Sequence, residues 1–343
     1  MVPHNYTSTM DYGKIQEYMA TSQPLMAIEK LQKHLSTAPD DLLALQLLGE
    51  ALLEIGEPEQ AYNHIKMAAD ADPDGSKGGY EKFLWLGQLV GGRQGIEWYN
   101  KGIEGLKQDI ANDEHKLGSG SLDQDSDHTK QALAYKKRKL CETLCGIVEI
   151  WMTDLCMEEE AETQCVNLME EAIKTDNEHA ESWAVLASVR ISQQKNEEAK
   201  EALAKAWEIF AVDQEPSLPS IMQLTKMLIE MGMLEQALEA SVRIHDLNDE
   251  EIEGFYLAGL ASFTAWEQDK EDLTHAVAAA SAFQRASKLY EKQTKQFGEA
   301  SCDPEVVQHI QEMYAKLPSD LEIEEDKKEE YDDSWEKEIV YEE

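Results

Sequence analysis

The feature that most constrains the fold of this chain is a repeat with a period of 34 residues. Ala27 and Ala61 are 34 residues apart, and the same spacing separates Leu31 from Ile65. A fixed period of this size is typical of solenoids, in which each repeat buries its apolar face against its neighbours. The sequence therefore predicts a stack of similar units rather than one central core.

The second copy, residues 42–75, defines the unit as two helices joined by a short turn. Leu45, Leu48 and Leu52 follow the spacing of one apolar helix face. Pro58 suits the first position of the next helix, whose alanines allow close approach. The unit is thus predicted to be a pair of antiparallel helices.

Later copies repeat this pattern of apolar and small residues, with a shortened turn in the third. Their key positions are Phe83, Leu86, Gly87, Gly95, Tyr99 and Gly102; Met169 and Ala172; Trp183, Leu186, Ala187, Ala199, Leu203 and Ala206; Ile221, Leu224, Leu228, Ala237 and Ile244; and Phe255, Gly259, Ala279, Phe283 and Ala286. Over residues 8–290 the pattern resembles the tetratricopeptide repeat. The resemblance implies an all-α fold, a right-handed superhelix of about seven helical pairs.

Two stretches interrupt or end the array, which we assign to residues 1–318. Residues 109–130 include a Gly/Ser/Asp-rich segment that predicts a polar loop insert. Residues 301–318 predict a capping helix that starts at Asp303 and Pro304 and ends before Pro318. Residues 319–343 are too acidic to form a core and predict a disordered tail.

The net charge of −38 narrows the class of partner. Residues 320–343 hold 13 acidic and 3 basic residues, so the rest of the chain still carries −28. Such a field repels nucleic acid and anionic membranes and attracts basic proteins. The first 15 residues lack the pattern of a secretory signal, and no apolar run approaches the roughly 18 residues of a membrane span. Nuclear and cytoplasmic localisation is expected.

The sequence contains none of the motifs of nucleotide-binding, metalloprotease or hydrolase sites, so an enzyme is not expected. Cys141 and Cys145 are four residues apart and could share a metal. Cys165, however, occupies a position where the repeat requires a small buried residue, and free cysteine packs well in cores. Core packing is the favoured interpretation, and no metal or cofactor is predicted.

The first helix of each pair lines the concave face in this repeat class, and its polar positions are mostly acidic. A groove lined by charge of one sign concentrates its field, although each glutamate on its own could simply be solvated. The predicted acidic groove positions are Glu50, Glu54, Glu81, Asp154, Glu158, Glu181, Glu230 and Glu253. The predicted apolar anchors between them are Ile147, Ile150, Met222, Tyr256 and Phe263.

The tail has two interpretations, which the sequence leaves open. It is either a solubility device or a second contact that screens basic surface of the partner. Trp335 and the apolar residues after it favour the second interpretation slightly. The tail residues assigned to this contact are Glu329, Glu330, Asp332, Asp333 and Trp335.

A narrower resemblance rests on residues 81–106, "EKFLWLGQLVGGRQGIEWYNKGIEGL", and on the acidic end containing "SWEKEIV". Both resemble the dedicated assembly chaperones of the fourth large-subunit ribosomal protein. That family implies a nuclear and cytoplasmic chaperone that captures a long Arg/Lys-rich loop of its client, keeps it soluble and escorts it to nuclear 60S assembly. We also expect the chain to be monomeric apart from its client and to have nuclear import factors as further partners. The irregular third copy, the insert and the stretched last copy depart from the regular repeat.

Two other functions stay open from the sequence. The chain could be a chaperone of other basic nuclear proteins such as histones, which the same charge would attract. It could also be a repeat scaffold of a multiprotein complex, which predicts apolar, salt-insensitive partner surfaces and a dispensable tail.

Overall fold

The computed structural model describes residues 10–118, 125–213, 216–298 and 300–322. These residues form fifteen α-helices and no strand, which confirms the all-α prediction. The helices are α1 Tyr12–Ala20, α2 Pro24–Leu35, α3 Leu42–Glu54, α4 Pro58–Ala71, α5 Glu81–Val90, α6 Gly92–Gly118, α7 Asp125–Met152, α8 Ala161–Thr175, α9 Ala180–Ser192, α10 Asn196–Phe210, α11 Leu218–Glu230, α12 Leu234–Leu247, α13 Ile252–Gln268, α14 Leu273–Phe297 and α15 Pro304–Tyr314.

The described helices α1 to α14 follow one another as seven helix–turn–helix pairs, and α15 comes after the last pair. Odd-numbered helices are the first members of the pairs and even-numbered helices the second. The chain divides into two compact units, one ending at Ile209 and the other beginning at Phe210. The array predicted over residues 1–318 is therefore divided at the end of α10.

The second copy of the repeat shows why small residues recur in the first unit. Leu48 of α3 and Ile65 of α4 are almost fully buried in one apolar cluster. A Cβ added to Gly49 would lie 2.3 Å from Cγ1 of Ile65, so only glycine allows these helices to approach so closely. The predicted pairing of α3 with α4 is confirmed, and Pro58 is the first residue of α4.

In the second and fifth pairs, the turn between the helices is closed by a residue in the left-handed conformation. Gly56 has φ 77°, and the next residue donates its N–H to the carbonyl of Leu52 at 2.9 Å. This is the Schellman arrangement, which satisfies a carbonyl at the end of the first helix. The fifth pair uses the same turn with Gln194 at φ 60°, where Lys195 donates its N–H to the carbonyl of Arg190 at 2.9 Å.

Gln194→Gly is expected to stabilise the first unit by about 1 kcal/mol, because a side chain in the left-handed region costs roughly that much. The change in the free energy of unfolding is measured by urea denaturation followed by circular dichroism. The reciprocal variant Gly56→Gln introduces the same side chain at the equivalent turn and is expected to lose a similar amount. A loss of stability in both variants would contradict this account of the turn.

A buried ion pair that the sequence analysis did not predict joins the residue after α4 to the second residue of α5. Lys82 and Asp72 side chains are each only 1% exposed, and Nζ of Lys82 lies 2.8 Å from Oδ2 of Asp72. Asp72 also accepts the backbone N–H of Gly78 at 2.8 Å, and Lys82 donates to the carbonyl of Gly79. Burial opposes ionisation of Asp72, but these hydrogen bonds and the charge of Lys82 lower its pKa to about 2.

The polar loop predicted for residues 109–130 is wrong for most of its length. The long helices α6 and α7 continue through Gly118 and from Asp125, leaving 119–124 outside the described residues. Their facing charges pair: Lys136 lies 2.7 Å from Asp113, and Lys137 lies 2.8 Å from Glu114. The sequence analysis predicted a solvated loop because these side chains are charged. In the structure they pair across two packed helices.

The last described helix, α15, is the predicted capping helix. Asp303 caps α15 by accepting the N–H of Glu305 at 2.8 Å, and Pro304 is the first helical residue. Ile310 and Met313 are buried in the cluster formed by α13 and α14. The helix therefore covers the apolar face of the last pair, as predicted.

Candidate partner-binding site

Two of the predicted acidic residues, Glu50 of α3 and Glu81 of α5, are held side by side. The buried amide of Gln46 donates from Nε2 to Oε1 of Glu50 at 3.0 Å and to Oε2 of Glu81 at 3.1 Å. The indole Nε1 of Trp85 donates to the same Oε1 of Glu50 at 3.0 Å. Two carboxylates on neighbouring first helices are thus fixed by uncharged donors, which orient them without neutralising them.

Burial raises the pKa of Glu50, and the nearby charge of Glu81 adds to this shift. The hydrogen bonds from Gln46 and Trp85 and the charge of Lys139 act in the opposite direction. The net effect is a raised pKa, so the surroundings of the Glu50 carboxylate do not fully offset the cost of burying its charge. A cation placed against Glu50 would therefore be stabilised more strongly than one at a solvated surface.

The first helices of the next two pairs extend the same acidic character. Burial raises the pKa of Glu181 on α9, and the charges of Glu142 and Glu149 on α7 raise it further. Sequence reasoning missed Glu142 and Glu149, although their spacing of seven places them on one face of α7 beside buried Cys145. We call Glu50, Glu81, Glu142, Glu149 and Glu181 the acidic row.

Asp154 and Glu158 are not on a first helix, so the prediction that placed them there is wrong. Both lie in the connection after α7, which ends at Met152. Asp154 accepts the backbone N–H of Gly92 at 2.8 Å, at the start of α6, and Glu158 lies 3.0 Å from Arg93. These carboxylates hold the shortened turn of the third pair.

Three of the five predicted apolar anchors are core residues and are corrected accordingly. Ile147 is 1% exposed and Ile150 8% exposed in the cluster around α7, and Phe263 is 3% exposed in the cluster of the second unit. Met222 and Tyr256 remain half-buried. The hydroxyl of Tyr256 lies 2.8 Å from Nδ1 of His309 on α15.

The remaining predicted acids occupy helix ends. Glu54 and Glu230 are the exposed last residues of α3 and α11. Glu253, in the first turn of α13, pairs with Lys226 at 2.6 Å. In the second unit this pairing offsets part of the negative charge that the sequence predicted there.

Comparison with known proteins identifies the family. A Schizosaccharomyces pombe protein described as a probable assembly chaperone of rpl4 is 31% identical over 255 residues, covering 72% of this chain and 71% of the relative. The chain belongs to the family of rpl4 assembly chaperones. An Emericella nidulans protein with the same description is 28% identical over 257 residues, covering 71% of this chain and 61% of the relative.

A solved structure supports membership of the rpl4 assembly chaperone family. The structure described as the assembly chaperone of RpL4 (Acl4), residues 1–338, has a TM-score of 0.68 and 33% sequence identity to this chain. The match covers 76% of this chain and 97% of that one. No family model matches the chain.

The other sequence-based predictions concern the cysteines, metal sites, membrane spans and the acidic tail. Cys141, Cys145 and Cys165 are buried in the first unit, which confirms their core role, and burial raises the pKa of Cys141 to about 11. Across the described ranges, no group of three or more His, Cys, Asp or Glu is arranged to hold a metal, and no helix is both long and apolar enough to cross a membrane. The assigned tail residues, Glu329, Glu330, Asp332, Asp333 and Trp335, lie outside the described part of the chain.

Proposed function

We propose that this chain binds a newly made large-subunit ribosomal protein, the rpl4 named in its relatives, through a long Arg/Lys-rich loop. It acts by binding rather than catalysis, keeping the loop soluble and shielded from RNA. The observation that carries the proposal is the acidic row, in which each first helix from α3 to α9 presents at least one carboxylate, and burial raises the pKa of Glu50, Glu149 and Glu181. Membership of the rpl4 assembly chaperone family supports this choice of client over other basic proteins.

The proposal extends to where the complex acts. A monomeric chaperone with this charge accompanies its client from the cytoplasm to nuclear pre-60S assembly, with import factors as transient partners. The acidic tail adds a second contact that screens basic surface left outside the row. Direct nucleic-acid and membrane binding are not part of the function, because the net charge of −38 opposes both.

The proposal is tested by measuring the affinity of the full chain for a labelled loop peptide of the client by fluorescence anisotropy. Raising the salt from about 50 to about 300 mM is expected to weaken binding roughly tenfold, because salt screens attraction between exposed charges. A histone-tail peptide of equal charge serves as the competitor. Absence of binding, or an affinity that salt leaves unchanged, would overturn the proposal, and equal competition would favour a general chaperone of basic proteins.

A further inference from the structure

A cavity of about 250 Å³ opens within the first unit, where α3, α5, α6 and α7 meet beside the acidic row. Its walls combine carboxylates, aromatic rings and a single lysine. The lining residues that matter for its chemistry are Glu50, Glu81, Trp85, Tyr135, Lys139 and Glu142. Acidic groups and aromatic faces in one concave site form an environment suited to a cation.

The side chain of Lys139 shows how the cavity accommodates a cation. Its Nζ lies 5.7 Å from the centre of the Trp85 ring and 3.5 Å from Oε2 of Glu142. Its charge also acts on Glu50, which lowers the pKa of that carboxyl group against the effect of burial. One internal ammonium group is thus shared among an aromatic ring and two carboxylates.

The carboxylates keep capacity for a further donor. Both hydrogen bonds to Glu50 end on Oε1, and the one to Glu81 ends on Oε2. Within the described residues, Oε2 of Glu50 and Oε1 of Glu81 accept no hydrogen bond. Because Gln46 and Trp85 hold the other oxygens, these acceptors are positioned before a partner arrives.

A guanidinium group fits this arrangement better than an ammonium group. It is planar, stacks on an indole face and presents five donors in a fixed plane, so it serves an aromatic ring and several carboxylates together. A lysine would only repeat the interactions that Lys139 already makes. We propose that the cavity binds one arginine side chain of the partner, which displaces Lys139 from the Trp85 ring. This rests on the proposed function and identifies the chemistry of one recognised residue.

The test compares two client-loop peptides of equal length and charge, one with its native arginines and one with every arginine changed to lysine. Isothermal titration to the full chain is expected to show about tenfold tighter binding of the arginine peptide. Trp85→Leu is expected to bring the two affinities close to parity while both peptides still bind through charge. Circular dichroism is used to check that this variant is folded.

A second pair of variants does not depend on the Trp85 substitution. Lys139→Gln removes the internal competitor and is expected to increase affinity for the arginine peptide more than for the lysine peptide. The matched control Lys137→Gln makes the same charge change on α7, at a lysine that pairs with Glu114, and is expected to leave the ratio unchanged.

The outcomes separate the two proposals. Equal binding of both peptides to the unmodified chain would overturn the arginine site and leave the proposed function standing. The arginine site would also be overturned if the preference survived Trp85→Leu, or if Lys137→Gln changed it as much as Lys139→Gln. Failure of both peptides to bind would count against the proposed function itself.

Discussion

Lys82→Met is expected to lower the free energy of unfolding of the first unit by about 3–5 kcal/mol, because it leaves the Asp72 carboxylate buried without its cation. Both side chains are 1% exposed, so water does not replace the lost partner. The loss is measured by urea denaturation of the full chain followed by circular dichroism. Hydrogen exchange locates the effect, with α4 and α5 expected to lose protection first.

The matched control is Lys205→Met, the same substitution in an exposed pair. Lys205 lies 3.1 Å from Glu208, and their side chains are 40% and 67% exposed. Exposed pairs contribute little, so a loss of about 0.5 kcal/mol or less is expected. Equal losses in the two variants would show that the buried pair has no special role.

The effect of Lys82→Met is expected to depend on pH in a defined direction. The folded pKa of Asp72, about 2, lies below its ordinary value of 3.8, so the stabilisation is complete above 3.8 and is lost as the pH falls toward 2. Without Lys82 the buried carboxyl protonates more readily. The difference between the two proteins should therefore shrink on acidification, and a difference that grew would contradict this assignment.

Changing all five glutamates of the acidic row to glutamine is expected to weaken binding of the client-loop peptide by about 100-fold at low salt, mainly through slower association. Surface plasmon resonance of the full chain at two salt concentrations separates the association and dissociation rates. The residual binding is also expected to depend less steeply on salt, because the tail still attracts the peptide. Because the substitutions remove repulsion among neighbouring carboxylates, the variant is expected to remain folded.

The control has the same change in net charge at another place. It replaces five exposed glutamates on second helices of the pairs: Glu59, Glu104, Glu170, Glu197 and Glu201. If binding depends on the location of charge, this variant is expected to lose only a few-fold in affinity. Similar losses in both variants would mean that net charge, rather than the row, attracts the client.

The sequence predicted the helical pairs well because their signal is local. Small residues such as Gly49 must face the partner helix, and this requirement recurs wherever two helices approach closely. Positions such as Glu50 and Glu81, next to regular copies, were therefore placed on the correct helices. The capping helix was predictable for the same reason, since Asp303 and Pro304 are adjacent start signals.

The fourth pair was not predictable in the same way, because its first helix does not begin where the repeat period places it. α7 runs for 28 residues from Asp125, so the assumed register was shifted. One residue of error rotates a helix face by about 100°. This explains why Ile147 and Ile150 point into the core and why Glu142 and Glu149 were missed. The pair of Asp72 and Lys82 depends on a loop conformation that has no periodic signature.

The amide of Gln46 that joins carboxylates on α3 and α5 also fixes a distance along the bound partner. Both bonds start from one nitrogen, at 3.0 and 3.1 Å, so the two bound oxygens lie at most about 6 Å apart. An extended chain advances about 3.3 Å per residue, so a segment crossing here would meet the second carboxylate roughly two residues after the first. The first unit would then recognise the spacing of positive residues along a partner as well as their number. Peptides of identical composition but different spacing would bind with different affinities.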